Sequence, residues 1–280
     1  MRELDPERTV WRNGEKADSA TVQLDLADPA IQHGLGLFET LAVRDGRCVD
    51  LDAHLDRLFS NAFKFLERRP IEREAVQAAL QSSAAEKPDE PGWVKLIVTG
   101  GGEWFVFGGA VDPAEEGRPI RAVILPWRRG PAGPLSGMKT LNYGANVLGL
   151  RYARERSTEE GLWFNHRGRL LEGCWSNVFV WRQGKLYTPS TREGLLSGVV
   201  RARVIDAAKE LGIAVHDGPL KIKRLLHADH VFVTSSLRGL CPVTHIDGRT
   251  VGRAGKGEVV TRLSRSIGRR YLDVSGVTFS

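Results

Sequence analysis

The stretch that decides the fold is Gly137-Met138-Lys139-Thr140-Leu141-Asn142-Tyr143, in which a lysine lies inside a mostly apolar strand. The pattern predicts that this strand runs into a helix beginning near Asn142. The common role of such a lysine is that of an exposed strand residue. The alternative is a lysine that desolvation and neighbouring groups keep neutral, as Schiff-base chemistry requires. Taken alone, the stretch favours the first role.

A second candidate stretch is Leu170-Leu171-Glu172-Gly173-Cys174-Trp175-Ser176-Asn177-Val178-Phe179. It places Glu172 at the end of an otherwise apolar strand. An edge carboxylate in water is the ordinary interpretation. The functional alternative is a carboxylate that keeps a pyridine nitrogen protonated, so that the ring accepts electrons.

Two further segments are candidate phosphate sites. The segment Thr188–Arg201 predicts a turn that leads into a helix, and the first N–H groups of a helix can bind phosphate. Every helix has such an end, so this signal is weak by itself. The segment Thr234–Gly239 places hydroxyls and small residues after an apolar strand. It is either the opposite wall of a phosphate site or a plain loop.

Composition indicates a cytoplasmic globular enzyme. The chain has 280 residues, of which 41% are hydrophobic and 26% charged, and no run approaches the roughly 18 apolar residues of a membrane span. Three distant cysteines, Cys48, Cys174 and Cys241, indicate reduced thiols rather than a disulfide framework. The net charge of +6 is spread over scattered basic pairs such as Arg128-Arg129, so we expect a solvated surface and no nucleic-acid or membrane partner.

Several chemistries lack their motifs. The chain has no phosphate loop of the Gly-x-x-x-x-Gly-Lys type, no Gly-x-Gly-x-x-Gly after a first strand and no Gly-x-Ser-x-Gly elbow. His227 and His230 are three residues apart but have no convincing third ligand nearby, so we expect no metal site.

The pattern along the chain predicts an α+β protein with two β-rich halves. Asn13-Gly14 and Asp45-Gly46 each predict a hairpin, and the second predicted hairpin runs to Leu51. Apolar spacing predicts helices over Asp52–Arg68, Glu72–Ser83 and Ser197–Leu211, the last closed by Gly212. Short strands are expected at 93–99, 122–126, 161–165, 169–173, 178–182, 186–188, 230–235 and 243–246. The predicted domains are residues 1–120, an interdomain loop at 121–134 and residues 135–280.

Taken together, these segments resemble the class IV (fold type IV) pyridoxal phosphate-dependent aminotransferases. That family includes branched-chain and D-amino-acid aminotransferases, R-selective amine transaminases and aminodeoxychorismate lyases. The resemblance extends from about Trp11 to Val251, and its pieces occur in the family's order. They are His33–Thr40, His54–Leu58, Lys139–Asn142, Glu172 with Ser176-Asn177, Thr188-Pro189, Leu196–Gly198, Ala228-Asp229 and Pro242-Val243.

The resemblance implies a role for each matching residue. Lys139 would hold the aldehyde of pyridoxal 5'-phosphate and shuttle a proton, and Glu172 would pair with the pyridine nitrogen. The other implied cofactor-binding residues are Arg57, which would bind the phosphate, together with Ser176, Asn177, Gly198, Val199, Val200, Ser235 and Ser236. Phe38 and Tyr143 would line the substrate pocket.

The resemblance also implies an architecture and an assembly. The fold would be a small N-terminal α/β domain and a larger C-terminal pseudo-barrel domain. Members of the family are usually homodimers in which both chains contribute to each site. The partners would be a small-molecule amino donor and a 2-oxo acid acceptor.

Departures from the family pattern limit the choice of substrate. The Arg-x-His pair with which D-amino-acid aminotransferases commonly hold the substrate carboxylate is absent near Thr99–Phe105. Arg238 is a candidate replacement, because its loop follows the predicted phosphate side. The segments Leu37–Thr40 and Lys139–Asn142 look more like the lyase and D-amino-acid branches than the branched-chain branch.

Three functions therefore compete. A transaminase acting on D-amino acids or R-amines is favoured. A lyase that forms 4-aminobenzoate and pyruvate from aminodeoxychorismate is the alternative, and a branched-chain L-amino-acid aminotransferase is a further one. A degenerate scaffold without activity is a poor interpretation, because both Lys139 and Glu172 are present.

Overall fold

The computed structural model describes residues 9–18, 22–62, 71–130, 132–252 and 257–273, with side chains up to residue 268. The chain divides into two compact units. Unit 1 comprises the described residues up to Pro113 together with Met138–Asn142. Unit 2 comprises the described residues of Ala114–Gly137 and those from Tyr143 onwards. The expected mixture of helices and sheets is confirmed.

Unit 1 is built on a six-stranded antiparallel sheet. Its strands are β1 (Val10–Arg12), β2 (Glu15–Ala17), β3 (Gly36–Arg44), β4 (Arg47–Cys48), β5 (Gly92–Thr99) and β6 (Trp104–Ala110), in the order β2-β1-β6-β5-β3-β4. Its helices are α1 (Pro29–His33), α2 (Leu51–Ala62) and α3 (Arg73–Ala84). Residues 63–70, which include the end of the helix predicted over Asp52–Arg68, lie outside the described residues.

The two hairpins that the sequence predicts in unit 1 form where expected. Asn13 and Gly14 both have positive φ angles, as do Asp45 and Gly46, and this is the backbone of the type I′ turn that suits the twist of paired strands. The second hairpin is shorter than expected, because β4 ends at Cys48 and Leu51 already begins α2.

Alternation along β3 separates the two faces of this sheet. Leu37, Leu41 and Val43 are buried in the core that α2 and α3 form on one face. Phe38 points to the other face. Glu39 also lies on the helix-bearing face, where it is 1% exposed. Such a carboxylate needs partners within the unit.

Unit 2 is built on a ten-stranded sheet with helices packed against it. The strands in its path run β12 (Val215–Asp217), β11 (Lys185–Thr188), β10 (Asn177–Arg182), β14 (His230–Ser235), β15 (Gly239–Ile246), β7 (Ile120–Arg129), β8 (Glu160–Asn165), β9 (Arg169–Gly173) and β13 (Leu220–Lys221), and β16 (Arg249–Thr250) pairs with β15. The helices are α4 (Gly144–Glu155), α5 (Val199–Glu210), α6 (Ile222–Leu226) and α7 (Glu258–Asp273). Because β9 also lies against β10, the sheet curls round on itself.

Two predicted helix starts are shifted in the structure. The helix expected near Asn142 begins at Gly144, and the one expected at Ser197 begins at Val199 with Gly198 as its N-cap. Gly212 follows the C-cap of α5 and has a φ of +68°, the left-handed conformation that ends many helices. The predicted loop 121–134 contains most of β7, which continues beyond the apolar run of the sequence.

All three cysteines are free and buried. Burial raises the pKa of Cys48 to about 12 and that of Cys241 to about 11. These side chains are therefore packed thiols rather than nucleophiles. Within the described ranges, no helix is long and apolar enough to cross a membrane.

Candidate active site

Lys139 lies against Phe38 in unit 1. The prediction that it lies within a strand is wrong, because only Thr140 forms a bridge, to Leu37. The segment is nevertheless fixed to β3. The N–H of Phe38 donates to the carbonyl of Lys139 at 2.9 Å, and the N–H of Leu141 donates to that of Gly36 at 2.9 Å. The Lys139 Nζ atom lies 4.3 Å from the centroid of the buried Phe38 ring.

A second lysine shares the same aromatic ring. The Nζ atom of Lys95, on β5, lies 4.8 Å from the centroid of Phe38. Burial lowers the pKa of Lys95. Among the described residues, no carboxylate is recorded in an ion pair with Lys95. Lys95 was not predicted as a site residue. Its position as the single lysine of the apolar strand Trp93–Thr99 could have indicated a functional role.

Arg57 is held by a buried carboxylate. Its Nε and Nη2 atoms lie 2.7 and 2.5 Å from the two oxygens of Glu39. His54 Nδ1 lies 2.7 Å from Glu39 Oε2. Burial alone would raise the pKa of Glu39, but the charge of Arg57 and the hydrogen bonds from His54 and Arg57 lower it to about 2. The predicted phosphate ligand is thus oriented by an ionised glutamate.

Glu172 lies in unit 2 at the end of β9, as the sequence predicts, and is 8% exposed. Arg129 Nη1 donates to its Oε1, and the N–H of Leu196 donates to its Oε2 at 3.0 Å. Arg129 is itself held in place, because its Nη2 donates to Asn146 Oδ1 at 2.5 Å. The expectation that Arg128-Arg129 forms a purely solvated basic pair is therefore wrong for Arg129, whose side chain is 28% exposed.

Asn177 and Glu172 hold the same backbone residue. Asn177 Nδ2 donates to the carbonyl of Leu196 at 2.9 Å, while the N–H of Leu196 binds Glu172. A Cβ atom on Gly198 would lie 2.0 Å from Asn177 Oδ1, so only glycine fits there. These contacts fix the entry to α5. The N-cap residue Gly198 has no side chain to cap the helix, and Val199 and Val200 form its first turn, where helical geometry leaves N–H groups without helical partners.

Ser235 and Ser236 lie at the same end of the sheet as Asn177. Asn177 pairs with Thr234 in the antiparallel register of β10 and β14, and Ser235 is the last residue of β14. Since α5 packs against β14, both candidate phosphate segments lie in this region of unit 2.

The two remaining pocket candidates are engaged in hydrogen bonds. The hydroxyl of Tyr143 donates to the carbonyl of Cys174 at 2.9 Å, and its ring meets that of Trp175 edge to face with centroids 6.4 Å apart. Arg238 Nη2 lies 2.7 Å from Glu115 Oε2. The proposed binding of a substrate carboxylate by Arg238 stays a prediction.

The structure thus gathers the predicted residues in each unit separately. In unit 1 it brings together Lys139 and Phe38, and it holds Arg57 on Glu39. In unit 2, Glu172 and Asn177 hold Leu196 at the entry to α5, which begins with Gly198, Val199 and Val200. Ser176 binds Glu160 instead, and Ser235 and Ser236 follow the strand that pairs with Asn177. The described residues contain no group of three or more His, Cys, Asp or Glu side chains that could hold a metal ion.

Comparisons with known proteins identify the family to which the chain is similar. The family model for amino-transferase class IV matches residues 36–246. A D-alanine aminotransferase of Listeria innocua is 30% identical over 94% of this chain and 93% of its own. A putative 4-amino-4-deoxychorismate lyase of Legionella pneumophila superposes with a TM-score of 0.81 and 26% identity, over 90% of this chain and 97% of that one.

A third match concerns the fold alone. A T.th. branched-chain amino acid aminotransferase, complexed with N-(5'-phosphopyridoxyl)-L-glutamate, has a TM-score of 0.87 at 22% identity, covering 96% of each chain. The fold type that the sequence predicts is therefore confirmed.

Proposed function

The chain belongs to the class IV aminotransferase family, whose members are pyridoxal phosphate-dependent enzymes, and we propose that it moves amino groups between D-amino acids or R-amines and 2-oxo acids. The observation that carries this proposal is the buried Glu172, paired with Arg129 and fixed by the Leu196 N–H. A carboxylate held in this way suits a protonated pyridine nitrogen.

The residues present fit this cofactor. In unit 2, the start of α5 would supply N–H groups for a phosphate, and the buried Glu172 would supply a carboxylate for the ring nitrogen. In unit 1, Lys139 would supply the amine. When bound, pyridoxal phosphate withdraws electrons from the carbon that carries the substrate's amino group. Arg57, oriented by Glu39, would add a second phosphate ligand.

Lys139 would have two tasks. Its Nζ atom would first hold the cofactor covalently. The same Nζ atom would also move a proton at the substrate carbon that carries the amino group. The contact with Phe38 places this amine against the face of an aromatic ring. The Phe38 ring is a proposed substrate-contacting group of unit 1, and Tyr143 is a proposed one of unit 2.

The choice of D-amino acids or R-amines has two supports. The Listeria relative is a D-alanine aminotransferase with nearly full-length similarity. The segments around Thr40 and Lys139 also resemble that branch rather than the branched-chain one. A branched-chain L-amino-acid aminotransferase remains an alternative that the same test addresses.

The experiment that tests the proposal is a half-reaction. Purified enzyme loaded with pyridoxal phosphate is mixed in turn with D-alanine, R-phenylethylamine, L-leucine and L-glutamate. Loss of the visible absorbance and formation of pyridoxamine phosphate with the first two, but not with the L-amino acids, is the expected result. Reaction with L-leucine alone would support the branched-chain alternative.

Lys95 favours a second candidate, the aminodeoxychorismate lyase. The substrate of that reaction carries two carboxylates, and Lys95 adds a cation on the ring that also contacts Lys139. The Legionella neighbour is named as a putative lyase of this kind. Formation of 4-aminobenzoate from aminodeoxychorismate, with no half-reaction from any amino donor, would establish the lyase and refute the transaminase.

We further propose that the enzyme is a cytoplasmic homodimer. The three free, buried thiols suit a reducing compartment, and family members are usually homodimers. Light scattering coupled to size-exclusion chromatography is expected to give twice the mass of the chain. A monomer that retains full activity would contradict the proposed assembly.

A further inference from the structure

One buried acid in unit 2 has no role in the proposed chemistry. Glu160 is the first residue of β8 and is 5% exposed. Burial raises its pKa, although the hydrogen bonds that it accepts act in the opposite direction. A buried carboxylate is costly unless donors surround it, so its contacts indicate what it does.

Glu160 binds the turn that follows Glu172. Its Oε1 accepts from the N–H groups of Gly161 at 3.0 Å and Cys174 at 2.9 Å, and its Oε2 accepts from Ser176 Oγ at 2.7 Å. The Cys174 and Ser176 donors both belong to the four-residue turn Gly173–Ser176.

The turn is closely packed on this carboxylate. The N–H of Gly173 donates to the carbonyl of Ser176 at 2.7 Å, which closes the turn. A Cβ atom on Gly173 would lie 2.8 Å from the Glu160 carboxyl carbon and 2.3 Å from Ser176 Oγ. From another direction, the Tyr143 hydroxyl donates to the Cys174 carbonyl.

The turn joins two residues whose side chains both form hydrogen bonds with the backbone of Leu196. Glu172 precedes it and accepts from the Leu196 N–H, while Asn177 follows it and donates to the Leu196 carbonyl. The spacing of these two side chains depends on the shape of the turn. A change at Glu160 would thus alter both the direction of the Glu172 carboxylate and the entry to α5.

We propose that Glu160 is a positioning residue, whose carboxylate shapes the Gly173–Ser176 turn so that Glu172 meets the pyridine nitrogen of the cofactor. This inference rests on the proposed function. The effect of Glu160 passes through Ser176 and the Cys174 N–H.

The test compares Glu160→Met with Glu160→Gln. Methionine keeps most of the volume and accepts none of the three hydrogen bonds. Glutamine keeps Oε1 for the two backbone donors, and its amide can donate to Ser176 Oγ. The matched control is Glu159→Gln, because Glu159 is the neighbouring acid and pairs with Arg121 instead.

Two readouts are needed besides turnover: the dissociation constant of pyridoxal phosphate and the visible absorbance maximum of the bound cofactor. We expect Glu160→Met to weaken cofactor binding about 10-fold, to shift the absorbance maximum, and to lower kcat more than it changes KM. Glu160→Gln and Glu159→Gln should stay within about twofold of the wild type in each readout. An unchanged affinity and spectrum in Glu160→Met would overturn the proposal, as would a Glu160→Gln variant that is equally impaired.

Ser176→Ala covers the case in which Glu160→Met does not fold. It removes one donor and should change the spectrum in the same direction to a smaller extent. Combined with a folded Glu160→Met, it should add little, because both act on one contact. Fully additive effects of the two substitutions, or no effect of Ser176→Ala, would refute the proposed action of Glu160 through Ser176. A wild-type protein that binds no pyridoxal phosphate would instead refute the proposed function itself.

Discussion

The ion pair between Glu39 and Arg57 predicts how the stability of the protein depends on pH. Glu39 is 1% exposed, and its pKa falls from 4.5 to about 2 on folding. Because the folded pKa is the lower one, ionised Glu39 stabilises the protein above pH 4.5, and that contribution is lost as the pH falls towards 2. The shift corresponds to about 3 kcal/mol, of which about 2 kcal/mol is lost between pH 7 and pH 3.

The assay is urea unfolding of the wild type and of Glu39→Gln at pH 7, 5, 4 and 3. Other carboxylates titrate in both proteins, so the difference between their free energies of unfolding isolates Glu39. The advantage of the wild type over Glu39→Gln is expected to shrink by about 2 kcal/mol between pH 5 and pH 3. A difference that stays constant over this range, or that grows as the pH falls, would refute the reasoning.

Three further predictions concern unit 2. Arg129→Met leaves the buried Glu172 carboxylate without its charged partner. Because Arg129 is partly exposed, we expect a loss of about 2 kcal/mol in stability, measured by thermal unfolding. We also expect weaker binding of pyridoxal phosphate, measured by titration. Gly198→Ala should destabilise the protein and weaken cofactor binding, because its Cβ would clash with Asn177 Oδ1, and unchanged binding would count against the described entry to α5. Gly268→Ala is the contrasting case, since no described atom lies within 4 Å of the position of its Cβ in α7, and calorimetry should show a gain in stability of about 0.5–1 kcal/mol.

Lys95 gives a prediction about substrate charge. If its ammonium binds the carboxylate of an amino acid, Lys95→Met should lower kcat/KM for D-phenylalanine about 10-fold and leave that for R-phenylethylamine unchanged. Only the first of these two donors carries a carboxylate. Equal losses for both donors would show that Lys95 acts on the fold or the cofactor instead.

Much of the fold follows from local sequence signals. Asn13-Gly14 and Asp45-Gly46 specify turns through their backbone preferences, and the apolar spacing of α3 and α5 places both helices within two residues. Lys139 differs because an extended apolar segment resembles a strand whether or not it has a partner. Here the strand pairing is confined to the Leu37–Thr140 bridge, and no local sequence pattern predicts how far such pairing extends.

Candidate site residues that lie within family motifs could be proposed from the sequence. Their partners, which are distant along the chain, could not. Glu172 falls at the predicted strand end, but its partner Arg129 lies 43 residues away and looks in the sequence like half of a basic pair. Lys95 and Glu160 were missed for a similar reason. Their importance comes from what surrounds them after folding, namely the Phe38 ring and the Gly173–Ser176 turn.

The proposed function requires that Lys139 binds pyridoxal phosphate covalently. The measurement is reduction of the pyridoxal phosphate-loaded enzyme with borohydride, followed by proteolysis and mass spectrometry of the peptides. We expect a phosphopyridoxyl group on Lys139 and none on Lys95. The Lys139→Ala variant should lose the visible absorbance. A label on another lysine, or a Lys139→Ala protein that keeps the absorbance, would contradict the proposed role of Lys139.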